Sequence, residues 1–288
     1  MLKLGINLWF KNSNNISELL AKAKAIGLDH VEISLDYPFG VYDKEPFYRM
    51  ARISRDFGFT ISIHAPWQEI HLASPLDEIR RAALEVTKKA IIESYRVEAR
   101  YLVIHVTSEQ GICKVKPLRE NPCIKAAVNS LEEILSYAED HGIYIAIENV
   151  GYPCCGRIDF YSHIVSETSA LACLDIAHAI AMDKELSKKP EEVEYADVVR
   201  EWSNAIGIEK VFSLHVHGIR KNSNGKIDEH VDLGSNHIDV KKIVKFLGRN
   251  LRYVVFEIFK RSDGSDFDII ELKPIIREFR SWAAAYGI

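Results

Sequence analysis

Short apolar runs that carry a histidine or a carboxylate at or near their C-terminal ends recur along this chain, and they constrain its fold more tightly than any other feature. The clearest are ISIHAP with His64, LVIHVT with His105, IAIENV with Glu148, ACLDIAH with Asp175 and His178, SLHVHG with His215 and His217, and VVFEIF with Glu257. Each has the length and β-branched content of a buried parallel strand. LKLGINLW and HVEISLD supply two more runs, and helical periodicity fills every interval, so strand and helix alternate eight times over 288 residues. A closed (β/α)8 barrel commonly needs about 250 residues and gathers the C-terminal ends of its strands on one face. The expected architecture is therefore α/β, a single barrel domain over residues 1–288 with its ionisable groups converging at the strand ends. A doubly wound open sheet is the weaker alternative, because it has no need of eight regular units. No GxGxxG or GxxxxGK[ST] phosphate fingerprint follows any strand.

Local punctuation supports the same division. ISELLAKAKAIG reads as a helix stopped at Gly27, and the segment from Pro75 to Ala99 as a helix with Asp77 and Glu78 near its start. NPCIKAAVNSLEEILSYAEDHG has Asn121 as a cap, Pro122 in the first turn and Gly142 past the end. The stretch MDKELSKKPEEVEYAD reads as a solvated surface segment. IRKNSNGKIDEHVDLGSNH is expected as one long irregular loop, and the alternation of Asp228 with His230 inside it suits a site.

Bulk properties exclude several classes. With 47% apolar and 27% charged residues, no membrane-length apolar run and no cleavable signal pattern at Met1, the chain reads as a soluble cytoplasmic protein with no membrane partner. A formal charge of -4, with Lys and Arg evenly scattered, argues against a large basic field and so weakens a nucleic-acid partner. A homo-oligomer is left open. Cys113, Cys123, Cys154, Cys155 and Cys173 form no CxxC pair; a Cys113 to Cys123 bridge is sterically allowed, but free thiols are the expectation in a reducing compartment.

So many carboxylates at strand ends would each cost several kcal/mol to desolvate unless a cation met them. Mixed imidazoles and carboxylates without a thiolate suit Zn, Mn, Fe or Co rather than a structural zinc knot. Glu148, Asp175, His215 and Glu257 are the expected ligands of one divalent ion; the competing reading, a salt-bridge network, lacks a strand-end Arg or Lys to complete it. His64 and His105 are further ligand candidates, against a reading as hydrogen-bonded core histidines. His178 reads as a ligand of metal or substrate, Asp228 and His230 as a ligand pair, and His217 as a partner on the same strand face as His215. Trp67 at the barrel mouth is a candidate stacking platform, and Glu32 and Asp36 on the second strand are candidates to orient a polar substrate. His30, His71, His141, His163 and His237 are placed on helix ends or loops, without ligand roles.

Taken in order, IHAPWQEIHLASP, IHVTS, IENVG, DIAH, HVHG with DEHVDLG, and FEI resemble the strand-end motifs of the xylose isomerase-like TIM barrels through nearly the whole chain. That superfamily contains sugar isomerases and epimerases as well as the family-two apurinic endonucleases. The endonuclease branch holds three zinc ions, and this chain has a counterpart for each ligand: His64, His105 and Glu148 for the first, Glu148, Asp175, His215 and Glu257 for the second, and His178, Asp228 and His230 for the third. Two departures stand out. Gly218 occupies a position where Asp commonly follows the seventh-strand ligand, and the second-strand loop SLDYPFGVYDKEP has no Arg to enter an abasic gap.

The resemblance implies an enzyme with one to three divalent ions, zinc or manganese first. In the preferred reading it is an isomerase or epimerase of a sugar or sugar phosphate, with Glu148 and Glu257 moving a proton beside a carbonyl while the ion stabilises the enediolate. In the alternative it is an endonuclease IV-like hydrolase cutting abasic DNA with a multi-zinc cluster.

Overall fold

In the computed structural model, residues 1–37, 43–115, 118–151, 156–182, 189–234 and 236–288 are described. Cys154, Cys155 and Ser235 lie outside them, as do residues 183–188 of the lysine- and glutamate-rich segment. Among the described residues ten strands run β1 (Lys3–Leu8), β2 (His30–Ser34), β3 (Thr60–His64), β4 (Tyr101–His105), β5 (Tyr144–Glu148), β6 (Leu171–Asp175), β7 (Val211–Val216), β8 (Gly218–Lys221), β9 (Ile227–Val231) and β10 (Tyr253–Phe256). Eight of them close into a parallel barrel in the order β1-β10-β7-β6-β5-β4-β3-β2, while β8 and β9 pair with each other. The principal helices are α1 (Ile16–Ala25), α2 (Lys44–Asp56), α3 (Asp77–Arg96), α4 (Pro122–Glu139), α5 (Ile158–Ser166), α6 (Tyr195–Ile206), α7 (Val240–Leu247) and α8 (Lys273–Tyr286), one after each barrel strand. The expected (β/α)8 barrel is the observed fold.

The barrel strands are buried on both faces, which is why they read as continuous apolar runs rather than alternating ones. Leu102, Ile104, Ile145, Ile147, Leu174, Leu214 and Val254 belong to the large core cluster. Register then decides which ionisable ends meet. His105 stands opposite Glu148, and Asp175 opposite His215, so neighbouring strands place acid beside imidazole.

Helix signals behave as the sequence suggests. The Asn121 side chain accepts from the Cys123 N–H with Pro122 in the first turn of α4, and Gly142 follows that helix at φ +67°, a region that favours glycine. Glu194 and Asp239 cap α6 and α7 in the same way.

Three expectations need correction. The stretch after β7 is not irregular, because β8 and β9 form an antiparallel hairpin pairing Arg220 with Asp228. Gly218 opens that hairpin, and a Cβ there would sit 2.0 Å from the Asp232 carbonyl oxygen, so the close approach of the two strands excludes an Asp at this position. Cys113 and Cys123 are bridged rather than free: the short helix Gly111–Val115 folds back on the start of α4, where Asn121 Nδ2 donates to the Cys113 carbonyl at 2.6 Å and the two Cα atoms come within 5.6 Å. Cys173 keeps a buried free thiol. His30 is not at a loop but begins β2, fully buried. No helix among the described residues is long and apolar enough to cross a membrane.

Candidate metal centre

Among the described residues, the strand ends, with the short helix after β6 and the β8–β9 hairpin, deliver three groups whose ligand atoms lie within 4.8 Å of one another: His64, His105 and Glu148; Glu148, Asp175, His215 and Glu257; and His178, His217 and His230. Glu148 joins the first two. Its Oε2 lies 3.0 Å from both His64 Nε2 and His105 Nε2, while its Oε1 is 3.2 Å from His215 Nδ1 and 3.8 Å from His178 Nε2. Glu257 Oε2 is 3.5 Å from the same His215 Nδ1, and Asn7 Nδ2 donates to its other oxygen at 2.9 Å.

Asp175 is fixed from two sides. Asn149, fully buried, donates from Nδ2 to the Asp175 carbonyl and accepts the Asp175 N–H, both at 2.8 Å. This pair of hydrogen bonds between the ends of β5 and β6 locks the backbone from which Glu148 and Asp175 project. The carboxylate itself accepts the His178 N–H at 2.7 Å and faces His217 Nε2 at 3.0 Å.

Charge in this cluster follows the neighbours. Burial raises the Glu148 carboxyl, but the imidazoles of His215 and His105 outweigh it and hold the group well below the usual range. Burial likewise opposes charge on His64 and His178, yet Glu148 for the first, and Asp175 with Glu229 for the second, raise both to about 10. Glu257 goes the other way: burial, only partly offset by His215 and reinforced by Glu148, pushes it up to about 7. His105 and His230 are pushed down by burial. Imidazolium protons thus balance the carboxylates, and a divalent cation would displace them, since metal binding releases protons from such ligands.

The donor set fits a divalent ion. His215 is fully buried, its Nδ1 facing two carboxylates and its Nε2 3.0 Å from a third, Glu32, with neither nitrogen well aligned as a hydrogen bond. Burial of this kind without aligned partners is costly, and oxygen and imidazole donors in this ratio are those of zinc, manganese, iron or cobalt sites.

A cavity of about 310 Å³ opens above the cluster, lined by His64, His105, Glu148, His178, His230 and Glu257 below and by Asn7, Trp9, Ser34, Asp36, Trp67 and Phe259 at its walls. Trp67 takes the expected place, its ring 5.9 Å from that of His105. Trp9 stacks on Phe259 at 5.1 Å and donates from Nε1 to Asp36 at 3.2 Å. No Lys or Arg lines the cavity among the described residues.

Two sequence candidates lie elsewhere. Glu32 does not reach the cavity; it is fully buried beneath it, 3.0 Å from His215 Nε2. Asp228 does not join His178 and His230: it pairs with Asn222 at 3.3 Å, and Glu229 takes its place with an oxygen 2.7 Å from His178 Nδ1. The reason is local. Strict alternation would put 228 and 230 on one face, but His230 adopts φ +55° and breaks it. His217 completes the third group instead, 4.0 Å from the His230 ring and accepting the His230 N–H at 2.9 Å. Asn7, Trp9, Ser34, Glu229 and Phe259 were not singled out by sequence; Asn7 and Trp9 follow the strand-end rule at β1 but are not ionisable, so the histidine and carboxylate pattern passes over them.

Fold and site together define a (β/α)8 barrel with a buried ionisable centre at the C-terminal ends of its strands. The chain belongs to the xylose isomerase-like TIM barrel family, which it matches over residues 20–285. It is 24% identical to the uncharacterized protein MJ1614 of Methanocaldococcus jannaschii, over 96% of this chain and all of that protein. It is 23% identical to a probable endonuclease 4 of Aquifex aeolicus, over 80% of this chain and 82% of the relative. Among solved structures, a D-tagatose 3-epimerase-like protein superposes with a TM-score of 0.67 at 20% identity, covering all of both chains. An L-ribulose 3-epimerase gives 0.67 at 15%, covering 99% of this chain and 94% of its own.

Proposed function

We propose that this protein is a divalent-cation-dependent isomerase or epimerase of an uncharged sugar. The observation that carries this reading is the cavity itself: Glu148 and Glu257 from separated strands both reach its floor, aromatic rings wall it, and no described Lys or Arg lines it. Glu148, Asp175, His215 and Glu257 would hold the cation, which supplies polarisation of a carbonyl and of the hydroxyl beside it. Glu148 and Glu257 are the candidates to remove a proton next to that carbonyl and to return one from the other side. Asn7, hydrogen-bonded to Glu257, fixes the direction of that carboxylate. Trp9, Trp67 and Phe259 offer apolar faces for the C–H side of a sugar, and Asp36 offers an acceptor for its hydroxyls. A phosphorylated sugar would meet carboxylates at Asp36 and Glu229 with no cationic side chain to pair with it.

A second reading, hydrolysis of abasic DNA, draws on the pairing of His64 and His105 on Glu148 and on the third, three-histidine group, which together give room for several ions. The same lack of cationic side chains in the cavity, with a formal charge of -4, ranks it second, because DNA grooves are recognised through Lys and Arg. The test is incubation of Mn2+- or Zn2+-loaded protein in D2O with a panel of unphosphorylated ketoses and aldoses, beside a duplex containing one abasic site. Chelator-sensitive deuterium incorporation and a changed configuration are expected. Catalytic incision of the duplex without exchange into any sugar would replace the first reading with the second.

A further inference from the structure

Glu32 is an unusual residue to find inside a barrel. It projects from the middle of β2 into the interior, fully buried, and reaches across to β7, where its Oε1 lies 3.0 Å from His215 Nε2. Its second oxygen accepts from Ser62 Oγ at 2.9 Å, the residue directly opposite it on β3. Ser62 in turn lies 2.9 Å from His30 Nε2, and His30 Nδ1 lies 2.9 Å from Thr60 Oγ1. All of Glu32, Ser62, His30 and His215 are shut off from solvent. A polar string therefore runs down the barrel axis beneath the proposed cation, in a place where apolar side chains would fill the same volume without desolvation cost.

We propose that Glu32 is the positioning residue of the cation site, holding His215 with its proton on Nε2 so that the Nδ1 lone pair faces Glu148 and Glu257. The inference rests on the cation site and not on the sugar chemistry assigned to it. An imidazole can present only one unprotonated nitrogen, and whichever group faces the other nitrogen selects the tautomer. Here the two nitrogens face different things: Nδ1 points between the carboxylates of Glu148 and Glu257 at 3.2 and 3.5 Å, while Nε2 points at Glu32 alone among the described carboxylates. A carboxylate behind a ligating histidine also makes the ring a stronger donor. Ser62 steers the carboxylate by occupying its other oxygen, so the strand register that pairs 32 with 62 becomes part of the site's geometry.

The experiment uses the full chain and Co2+ as the probe, read by competition titration and by the visible absorption of bound Co2+. Glu32→Gln removes the charge and keeps the shape; Ser62→Ala keeps the charge and removes its guide. Loss of such a partner weakens metal binding by about 10- to 100-fold. Glu32→Gln is expected to weaken Co2+ by that range and to alter its spectrum, with the far-ultraviolet circular dichroism of the wild type retained. Ser62→Ala is expected to give a smaller loss in the same direction, and it serves as the reading where Glu32→Gln does not fold. A folded Glu32→Gln protein with wild-type Co2+ affinity and spectrum would overturn the proposal, as would an unchanged spectrum in Ser62→Ala. Absence of Co2+ binding to the wild type would overturn the site and the proposal together. Failure to turn over any sugar, with these Co2+ effects intact, would count against the assigned reaction alone.

Discussion

The two ends of the barrel interior bury the same kinds of side chain and treat them oppositely. At the N-terminal end, His30 sits among Thr60, Ser62 and the rings of Tyr101 and Tyr253, and burial pushes it down to about 4 despite the charges of Glu32 and Asp29. At the C-terminal end, His215 is just as buried, yet Cys173 and then the carboxylates of Glu257, Glu148 and Glu32 around it push it well above the ordinary range. Burial is the same; the neighbours differ. Hydroxyls and rings make a neutral, closed plug in which Tyr101, Phe212 and Tyr253 pack within about 5 Å of one another, whereas carboxylates make a centre that needs positive charge.

The largest expected effect comes from neutralising the acidic end. Glu257→Gln should lower turnover by about three orders of magnitude, in the range of a lost general acid or base, while leaving the fold intact by circular dichroism. Its ion-free stability should move the other way. Folding raises the Glu257 carboxyl from 4.5 to about 7, so the native state binds that proton more tightly. This contribution is present below about pH 4.5 and lost as pH climbs through 7. At pH 8 the ion-free variant should therefore be more stable than the wild type by about 3 kcal/mol, measured by urea unfolding with chelator present. An active variant would contradict the proton-transfer role of Glu257, and one less stable when ion-free would show that its charge is already compensated.

The neutral end should show the opposite slope. His30 has a folded value near 4 against an ordinary 6.5, so the unfolded chain takes up the proton first and stability falls as pH drops from 6.5 toward 4, by about 3 kcal/mol. Replacing His30 with Gln should flatten that limb of the urea-midpoint profile. An unchanged limb would mean that other groups set the acid sensitivity.

Cation removal comes next. Stripping the protein with a chelator should cost about 2.7 kcal/mol relative to protein held at a hundredfold excess of ion over its dissociation constant, seen as a drop in melting temperature that Glu257→Gln no longer shows in full. Smallest is Tyr101→Phe at the plug. The hydroxyl makes a long contact of 3.4 Å to His30 Nε2 and also hydrogen-bonds Ser62, so its loss should cost about 1 kcal/mol and change Co2+ affinity less than Ser62→Ala does. A large change in affinity from that variant would connect the two ends more tightly than their geometry implies.

Of the two ends, the C-terminal one was legible in the sequence, whereas the plug was not, since His30 read as a helix-end or loop residue and begins β2 instead. The eight-fold alternation of apolar run and helix is a local signal, and the ionisable residue at each run's end follows from where parallel strands terminate. Hence the barrel and the convergence of Glu148, Asp175, His215 and Glu257 could be read from sequence. What could not be read depends on contacts without a period. Glu32 looks like a rim residue, but it sits two residues before the end of β2, one layer deeper, and reaches His215 across the barrel. Asp228 looks like a partner of His230 until the left-handed backbone at His230 turns Glu229 toward His178. The Cys113–Cys123 bridge likewise depends on how a short helix folds back on α4, a contact between segments with no repeat to announce it.

Anomalous diffraction from crystals grown with Mn2+ tests the central assignment most directly. The expected result is a peak among Glu148, Asp175, Glu257 and the Nδ1 side of His215, lost in the Glu257→Gln protein. Full metal loading with no peak at those residues, or one held only by surface carboxylates, would contradict it.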